Sequence, residues 1–201
     1  MLMPLKNIIE DFDLKIKGVI HIGAHYGEEY RIYSECGIKN MIFFEPVQAN
    51  YKILIESLPE NTRTYNIALG NERGVREMYI ETVNTGQSCS LLEPGTHLSS
   101  YPGIKFDTKE IVKMDKLDNI PFNRTIYNMI NIDVQGYELE VFKGAIETLK
   151  SIDIIYTEVN RDEVYKNCAR VEEIDLFLNN FKRVKTQWDG ITWGDALYIK
   201  Q

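Results

Sequence analysis

The chain alternates between short apolar runs of strand character and segments with helical spacing of apolar residues. Val19-Ile20-His21-Ile22 is a β-rich run that breaks into a turn with glycine at 23 and 27. Glu28 to Cys36 then reads as a helix stopped by Gly37, because glycine takes up the left-handed terminating conformation at little cost. Met41-Ile42-Phe43-Phe44 is continuously apolar, as expected of a strand whose two faces are both covered by helices. Glu45-Pro46 ends it, and Pro46 suits the first turn of a helix carrying Tyr51, Leu54, Ile55 and Leu58. Thr64 to Leu69 predicts a third strand and Val75 to Val83 a half-exposed one. Ahead of them, Leu5, Ile8, Ile9 and Phe12 lie at helical spacing in a lead-in over residues 1–17, expected to cross one edge of the sheet.

The second half repeats this logic. Ile111 to Met114 is a strand candidate, and Ile126 to Asp133 is the clearest strand of the chain. Asp133-Val134-Gln135-Gly136 turns into a helix with Leu139, Val141, Phe142, Ala145, Ile146 and Leu149 on its apolar side, where Glu138 and Glu140 favour the helix dipole. Ile152 to Asn160 is again apolar with an acid, Glu158, near its end. Ile174, Leu176, Phe177 and Leu178 sit in the next predicted helix, Val171 to Asn180, and the strands Arg183 to Trp188 and Ala196 to Lys200 follow. Their short linker demands an antiparallel hairpin. Residues 84–107 are too densely punctuated by Gly, Pro, Ser and Asn for regular elements, and read as a lid-like insertion facing a substrate. The whole predicts an α/β fold: a doubly wound, mostly parallel sheet with helices on both faces and a C-terminal antiparallel hairpin.

Length makes this a single domain over 1–201, large enough for one well-buried core. Apolar residues at 44% and charged residues at 26% exclude disordered and fibrous classes. Apolar runs such as Met41 to Phe44 are far too short to span a bilayer, and Met1 to Asn7 lacks the features of a secretory signal. Cys36, Cys89 and Cys168 are odd in number and form no CxxC, so the expectation is free thiols in the cytoplasm. The net charge is 23 − 30 = −7, with basic residues scattered among acids. That balance disfavours nucleic acid and points to a small-molecule or sugar partner, with no membrane.

Three acids, Glu45, Asp133 and Glu158, fall at the C-terminal ends of predicted parallel strands, which share one crevice in open α/β sheets. An unpaired buried carboxylate is costly, so a purely structural role explains them poorly. Glu45 follows the glycine turn by about 20 residues, the spacing at which an acid accepts hydrogen bonds from ribose hydroxyls. The turn itself is a strand-to-helix cradle whose small residues let a ligand approach the backbone.

Val19-Ile20-His21-Ile22-Gly23-Ala24-His25-Tyr26-Gly27, Phe44-Glu45-Pro46 and the block Ile132-Asp133-Val134-Gln135-Gly136-Tyr137-Glu138, with Lys143-Gly144-Ala145 after it, together resemble the FkbM family of S-adenosylmethionine-dependent methyltransferases. The resemblance runs from Gly18 to Lys200. It implies a Rossmann-like class I methyltransferase fold with a seven-stranded sheet, S-adenosyl-L-methionine as cofactor, and O-methylation of a hydroxyl on a sugar, glycan or small metabolite. By the same resemblance Gly23, Ala24 and Gly27 line the methionine half of the cofactor and Glu45 its ribose. Asn66 and Ala68 approach the adenine, and Asp133 sits by the sulfonium. Glu28, Pro46 and Val134 complete the cofactor-binding set. His21 departs from the family, in which many members carry an acid two residues before the first glycine, so His21 and His25 are candidates for the cofactor's amino-acid end.

A sugar hydroxyl is a weak nucleophile that wants a base within hydrogen-bond reach. Asp133 is the first candidate, with Glu158 and His25 behind it, and Gln135, Glu158, Asn160 and His97 are the substrate-side candidates. Asp133 and Glu158 also have the hard oxygens of a divalent-cation site, though a reading without metal is preferred. Two rivals keep the fold: a nicotinamide enzyme, disfavoured because Gly23 to Gly27 lacks the G-x-G-x-x-G pattern, and a cofactor-binding module without chemistry.

Overall fold

The computed structural model describes residues 1–201. In chain order the elements are α1 (Leu5–Phe12), β1 (Gly18–Ile22), α2 (Glu29–Glu35), β2 (Asn40–Phe44), α3 (Gln48–Ser57), β3 (Arg63–Tyr65), β4 (Ala68–Leu69), β5 (Gly74–Ile80) and α4 (His97–Ser100). They continue with β6 (Thr108–Asp115), β7 (Met129–Ile132), α5 (Glu138–Lys143), α6 (Ile146–Leu149), β8 (Ile154–Asn160), α7 (Val171–Phe177), β9 (Phe181–Asp189) and β10 (Trp193–Lys200). Seven strands make the central sheet in the order β3-β2-β1-β7-β8-β10-β9. The five from β3 to β8 pair in parallel, and β10 runs antiparallel to both β8 and β9. This is the expected doubly wound sheet closed by a terminal hairpin. The chain winds outward from β1 to β3, then returns to lay β7 on the other side of β1, so the crevice opens at the C-terminal ends of β1 and β7.

Period-two alternation splits the strand residues between two cores. Val19, Met41, Phe43, Met129, Ile154 and Leu197 pack with Tyr33 of α2 and Leu54 of α3. Ile20, Ile42, Phe44, Ile130, Ile132 and Ile155 pack with Val141 and Phe142 of α5 and with Val171 and Ile174 of α7. Each fully buried aliphatic side chain contributes on the order of 1.5–3 kcal/mol, and both faces of the central strands benefit. The lead-in joins the first of these cores through Met3, Leu5 and Ile8, so it covers a face of the sheet and not the edge expected for it.

Three local expectations fail for identifiable reasons. Thr64 to Leu69 is not one strand, because the Asn66 amide donates to the carbonyls of Glu45 and Pro46 at 2.9 Å each and bends the chain there. β3 stays in the main sheet, while β4 leaves for a second sheet of order β4-β6-β5, which also takes the strands expected around Val75 and Ile111. The helix after Gly136 breaks into α5 and α6 at Gly144, where a Cβ would stand 1.9 Å from the Gly70 carbonyl oxygen. Past that break Ile146 is 49% exposed. α7 stops at Phe177, short of the expected Asn180, and within it Leu176 is 79% exposed on the outer face while Ile174 and the following Leu178 are buried. No helix is long and apolar enough to cross a membrane, and the three cysteines are free thiols.

Candidate active site

β1 gives way to the turn at Gly23, whose φ of +80° and closeness to β7 both demand glycine: a Cβ there would lie 1.8 Å from the Asp133 carbonyl oxygen. The N–H groups of Gly23 and Ala24 both donate to the Phe44 carbonyl, and that of Asp133 donates to the Ile22 carbonyl. The ends of β1, β2 and β7 are thereby stitched into one rim. Gly27 serves a different purpose, since its missing Cβ makes room for Leu54 of α3, and it lines neither cavity described next.

Two cavities open along the rim and share Gly23, His25, Gln87, Asp133 and Gln135. One is a slot of about 50 Å³ walled by Ile67, Ala68, Leu69, Met78 and Val134, with Glu45 and Pro46 at its end. The other, of about 480 Å³, is walled by His21, Ala24, His25, Glu28, His97, Gln135 and Glu158 among others. Loop residues Asn84, Gln87, Ser88, His97, Tyr101 and Ile104 form one side of the larger cavity.

Glu45 is buried, with Oε2 accepting from the His25 N–H at 2.9 Å and Oε1 from the Val47 N–H at 2.8 Å. Burial pushes its carboxyl up to about 7 against those two bonds. Each oxygen keeps a free acceptor site, so the carboxyl can receive a pair of vicinal hydroxyls beside a narrow apolar slot. That donor and acceptor set fits a nucleoside: apolar walls for a flat base, and a carboxyl for the ribose. Asn66, by contrast, spends its amide on the Glu45 and Pro46 carbonyls and lines neither cavity, so it holds the rim and does not face a ligand.

On the other side, carboxyl oxygens of Asp133, Glu138 and Glu158 lie within 4.8 Å of one another. The Gln135 amide Nε2 donates to Asp133 Oδ1 at 2.6 Å and to Glu158 Oε2 at 3.0 Å. Its Oε1 accepts from the Tyr165 hydroxyl at 2.7 Å, and its carbonyl accepts from Ser90 Oγ at 2.7 Å. Gln135 holds this position with φ of +55°, a strained conformation for a residue with a side chain. Glu138 is not a surface acid at a helix start. It is 1% exposed, and Oε1 accepts from the N–H groups of Val134 and Gly136. Burial first, then the neighbouring Asp133 charge, pushes Glu138 up to about 7, and burial with the Asp133 and Glu138 charges holds Glu158 well above the carboxylate range. Asp133 faces the cavity, where desolvation by the surrounding protein raises it to about 6 despite the Gln135 bond. Three acids this close do not all ionise near neutrality. The same three oxygens are what the chain offers a hard cation.

The histidines divide. His21, 3% exposed, has Nδ1 3.2 Å from the Tyr33 hydroxyl and Nε2 3.4 Å from the Asn131 amide, which also donates to Tyr33 at 2.6 Å. Burial lowers its pKa, so a neutral ring occupies the position where the family often has an acid. His25 has Nδ1 2.7 Å from Glu28 Oε1 and Nε2 2.9 Å from the Thr85 carbonyl. A ring facing two acceptors must carry a proton on both nitrogens. Burial opposes that charge, but the bonds to Glu28 and Thr85 outweigh it and raise the pKa. His25 therefore ties the glycine turn to the loop, and the geometry removes it as a general base. His97 lies against the rings of Tyr101, Phe106 and Tyr165 at 5.1–5.4 Å. Asn160 is fully buried and lines neither cavity.

Tyr33, Asn131 and Glu138 belong to the site without being candidates from the sequence. One signal for the first pair was present: His21 and Asn131 each interrupt an apolar strand, and they are register partners on β1 and β7.

Residues 21–184 match the family model described as the methyltransferase FkbM domain. The chain is 26% identical over 189 residues to the 2-O-methyltransferase NoeI of Sinorhizobium fredii (strain NBRC 101917 / NGR234), covering 89% of this chain and 77% of that protein. Among solved structures it is similar to an S-adenosylmethionine-dependent methyltransferase from Clostridium acetobutylicum ATCC 824 (TM-score 0.56, 8% identity, 98% of this chain and 89% of the other). It is also similar to Streptococcus pneumoniae Sp1610 in complex with S-adenosyl-L-methionine (TM-score 0.52, 11% identity, 98% and 73%). At such identities the structures speak for the fold alone. The family match covers most of the chain, including Glu45 and the Asp133–Glu158 pair on the rim, and on that ground the protein belongs to the FkbM methyltransferase family.

Proposed function

We propose that this protein is an S-adenosyl-L-methionine-dependent O-methyltransferase acting on a hydroxyl of a sugar, glycan or small metabolite. The observation that carries the proposal is the juxtaposition of two unlike carboxyl sites on one rim: Glu45 at a narrow apolar slot, and the Asp133–Glu158 pair bridged by Gln135 in the adjoining cavity. The resemblance to a 2-O-methyltransferase supports the choice of oxygen as the acceptor atom.

When bound, the cofactor supplies an electrophilic methyl group on a sulfonium. Gly23 and Ala24 give the backbone surface against which it packs, and Glu45 receives the ribose hydroxyls. Asp133 then takes the proton of the acceptor hydroxyl, since its carboxyl faces the cavity and its pKa of about 6 leaves it ionised at neutral pH yet basic enough to share a proton. Burial, with the Asp133 and Glu138 charges, holds Glu158 well above the usual range, so of the pair it is the member that favours its proton and Asp133 the one that favours its charge. Gln135 fixes both carboxyls, so the base needs no reorganisation at the moment of transfer. An acid-lined cavity also argues against a nucleic-acid acceptor.

The test is transfer of labelled methyl from S-adenosylmethionine to a panel of glycans and small hydroxyl compounds, with calorimetry for cofactor binding. Saturable binding with transfer to oxygen is the expected result. Absence of binding to both the cofactor and its demethylated product would remove the reading.

A further inference from the structure

The larger cavity carries an unusual balance of charge. Six carboxyl groups line it, those of Glu28, Glu29, Asp133, Glu158, Asp189 and Asp195; Glu28 is paired with the His25 ring and Glu29 with the Met1 amino group, the other four face no cationic side chain, and no lysine or arginine lines either cavity. At its outer end the Trp193 indole N–H donates to the Tyr101 hydroxyl at 2.9 Å, which pins a ring from the β10 end of the hairpin to a ring from the 84–107 loop. Asp189 pairs with Trp193 across the hairpin and lines the same end.

We propose that this outer end is the acceptor subsite, and that it takes a phosphate-free saccharide, either neutral or amine-bearing, while rejecting sugars linked to a phosphate or a nucleotide. The proposal rests on the methyltransferase reading above and narrows its substrate class. Phosphate recognition calls for arginine or lysine, which this wall lacks, and the one helix start that reaches it, that of α2, presents the carboxyls of Glu28 and Glu29. An anion entering the cavity meets ionised carboxylates or drives protons onto them, and both outcomes weaken binding. An amine does the reverse: it draws the raised carboxyls back toward their charged state and meets an indole face, the best aromatic surface for a cation. A neutral ring needs neither effect. It stacks on the paired aromatics and shares hydroxyl hydrogen bonds with the surrounding acids. The apolar slot lies on the Glu45 side, where the methyltransferase reading places the cofactor's own nucleoside, so a nucleotide sugar in the larger cavity would have to seat its diphosphate among the acids.

The experiment compares labelled-methyl transfer to neutral oligosaccharides, their amino-sugar counterparts, sugar 1-phosphates and nucleoside-diphosphate sugars of the same hexoses and deoxyhexoses. The phosphate-free classes should exceed the phosphorylated ones in kcat/KM by roughly 100-fold or more, the scale of like-charge exclusion. Added salt should narrow the gap by screening, and Asp189→Lys should narrow it by about tenfold, with calorimetric cofactor binding reporting that the variant is folded. Equal use of phosphorylated and phosphate-free acceptors would overturn the proposal and leave the methyltransferase reading standing. A gap insensitive to both salt and Asp189→Lys would overturn charge as its cause and, with it, the proposal. Cofactor binding without transfer to any hydroxyl compound, phosphorylated or not, would instead remove the sugar-methylating function on which this inference rests.

Discussion

The two cavities along the rim share five residues but use carboxyl groups in opposite ways. In the slot Glu45, the one acid it does not share with the larger cavity, is buried and held by two backbone N–H groups, so its oxygens are fixed receivers of hydrogen bonds. At the larger cavity burial first, and neighbouring acid charges second, raise Asp133, Glu158 and the adjacent Glu138, so protonation state, more than position, distinguishes them. The comparison separates binding from chemistry. A lone, backbone-anchored carboxyl orients a ligand, whereas a cluster with unequal proton affinities can hold one proton and accept another.

The largest expected effect comes from breaking the second half alone. Asp133→Asn keeps the size and the hydrogen bond to Gln135 but removes the base, and should lower kcat by roughly 10²–10⁴ with cofactor affinity nearly unchanged. A matching loss of cofactor affinity in calorimetry would collapse the distinction between the halves. Glu45→Ala should do the converse, weakening cofactor binding roughly tenfold to hundredfold as charged hydrogen bonds are lost.

The pH profile sharpens the contrast further. A base must be deprotonated to act, so kcat should rise as pH increases through about 6, the value to which Asp133 is raised. In Asp133→Asn that limb should vanish.

Stability carries its own signature. Glu138 rises from 4.5 to about 7 on folding, so the folded chain holds its proton where the unfolded chain releases it. Its contribution is complete below about 4.5 and is lost as pH rises through about 7. The melting temperature of Glu138→Gln, which retains an acceptor oxygen but carries no charge, should therefore fall less steeply than that of the parent between about pH 5 and 8. The smallest effect belongs to the bridge between turn and loop. His25→Gln should weaken cofactor binding by only about twofold to fivefold, since the pair with Glu28 is partly exposed.

Much of this was legible in the order of residues. The apolar runs named the strands of the main sheet, and the glycine turn, Glu45 and the Asp133 block lie at strand ends that a doubly wound sheet must bring together. Local chain chemistry is enough for that, because a glycine with positive φ and an acid ending an apolar run each announce themselves within a few residues. The split of Thr64 to Leu69 was hidden because it depends on where Asn66 finds carbonyls to bond. The break at Gly144 was hidden because it depends on the approach of Gly70, and Gly144 itself resembles any helical glycine.

The roles within the site belong to the tertiary structure for the same reason. His25 offered itself as a base by type and position. Only the Thr85 carbonyl, sixty residues away, occupies its second nitrogen and, with Glu28, favours its charged form. Glu138 looked like a helix-start acid until the fold buried it beside Asp133 and Glu158. By itself the sequence determined the sheet, the rim and the family, since periodicity and short motifs act over neighbouring residues. Which acid is charged, which histidine is neutral and what the cavity admits were decided by the fold, because pKa and complementarity depend on distances between groups that the chain keeps far apart.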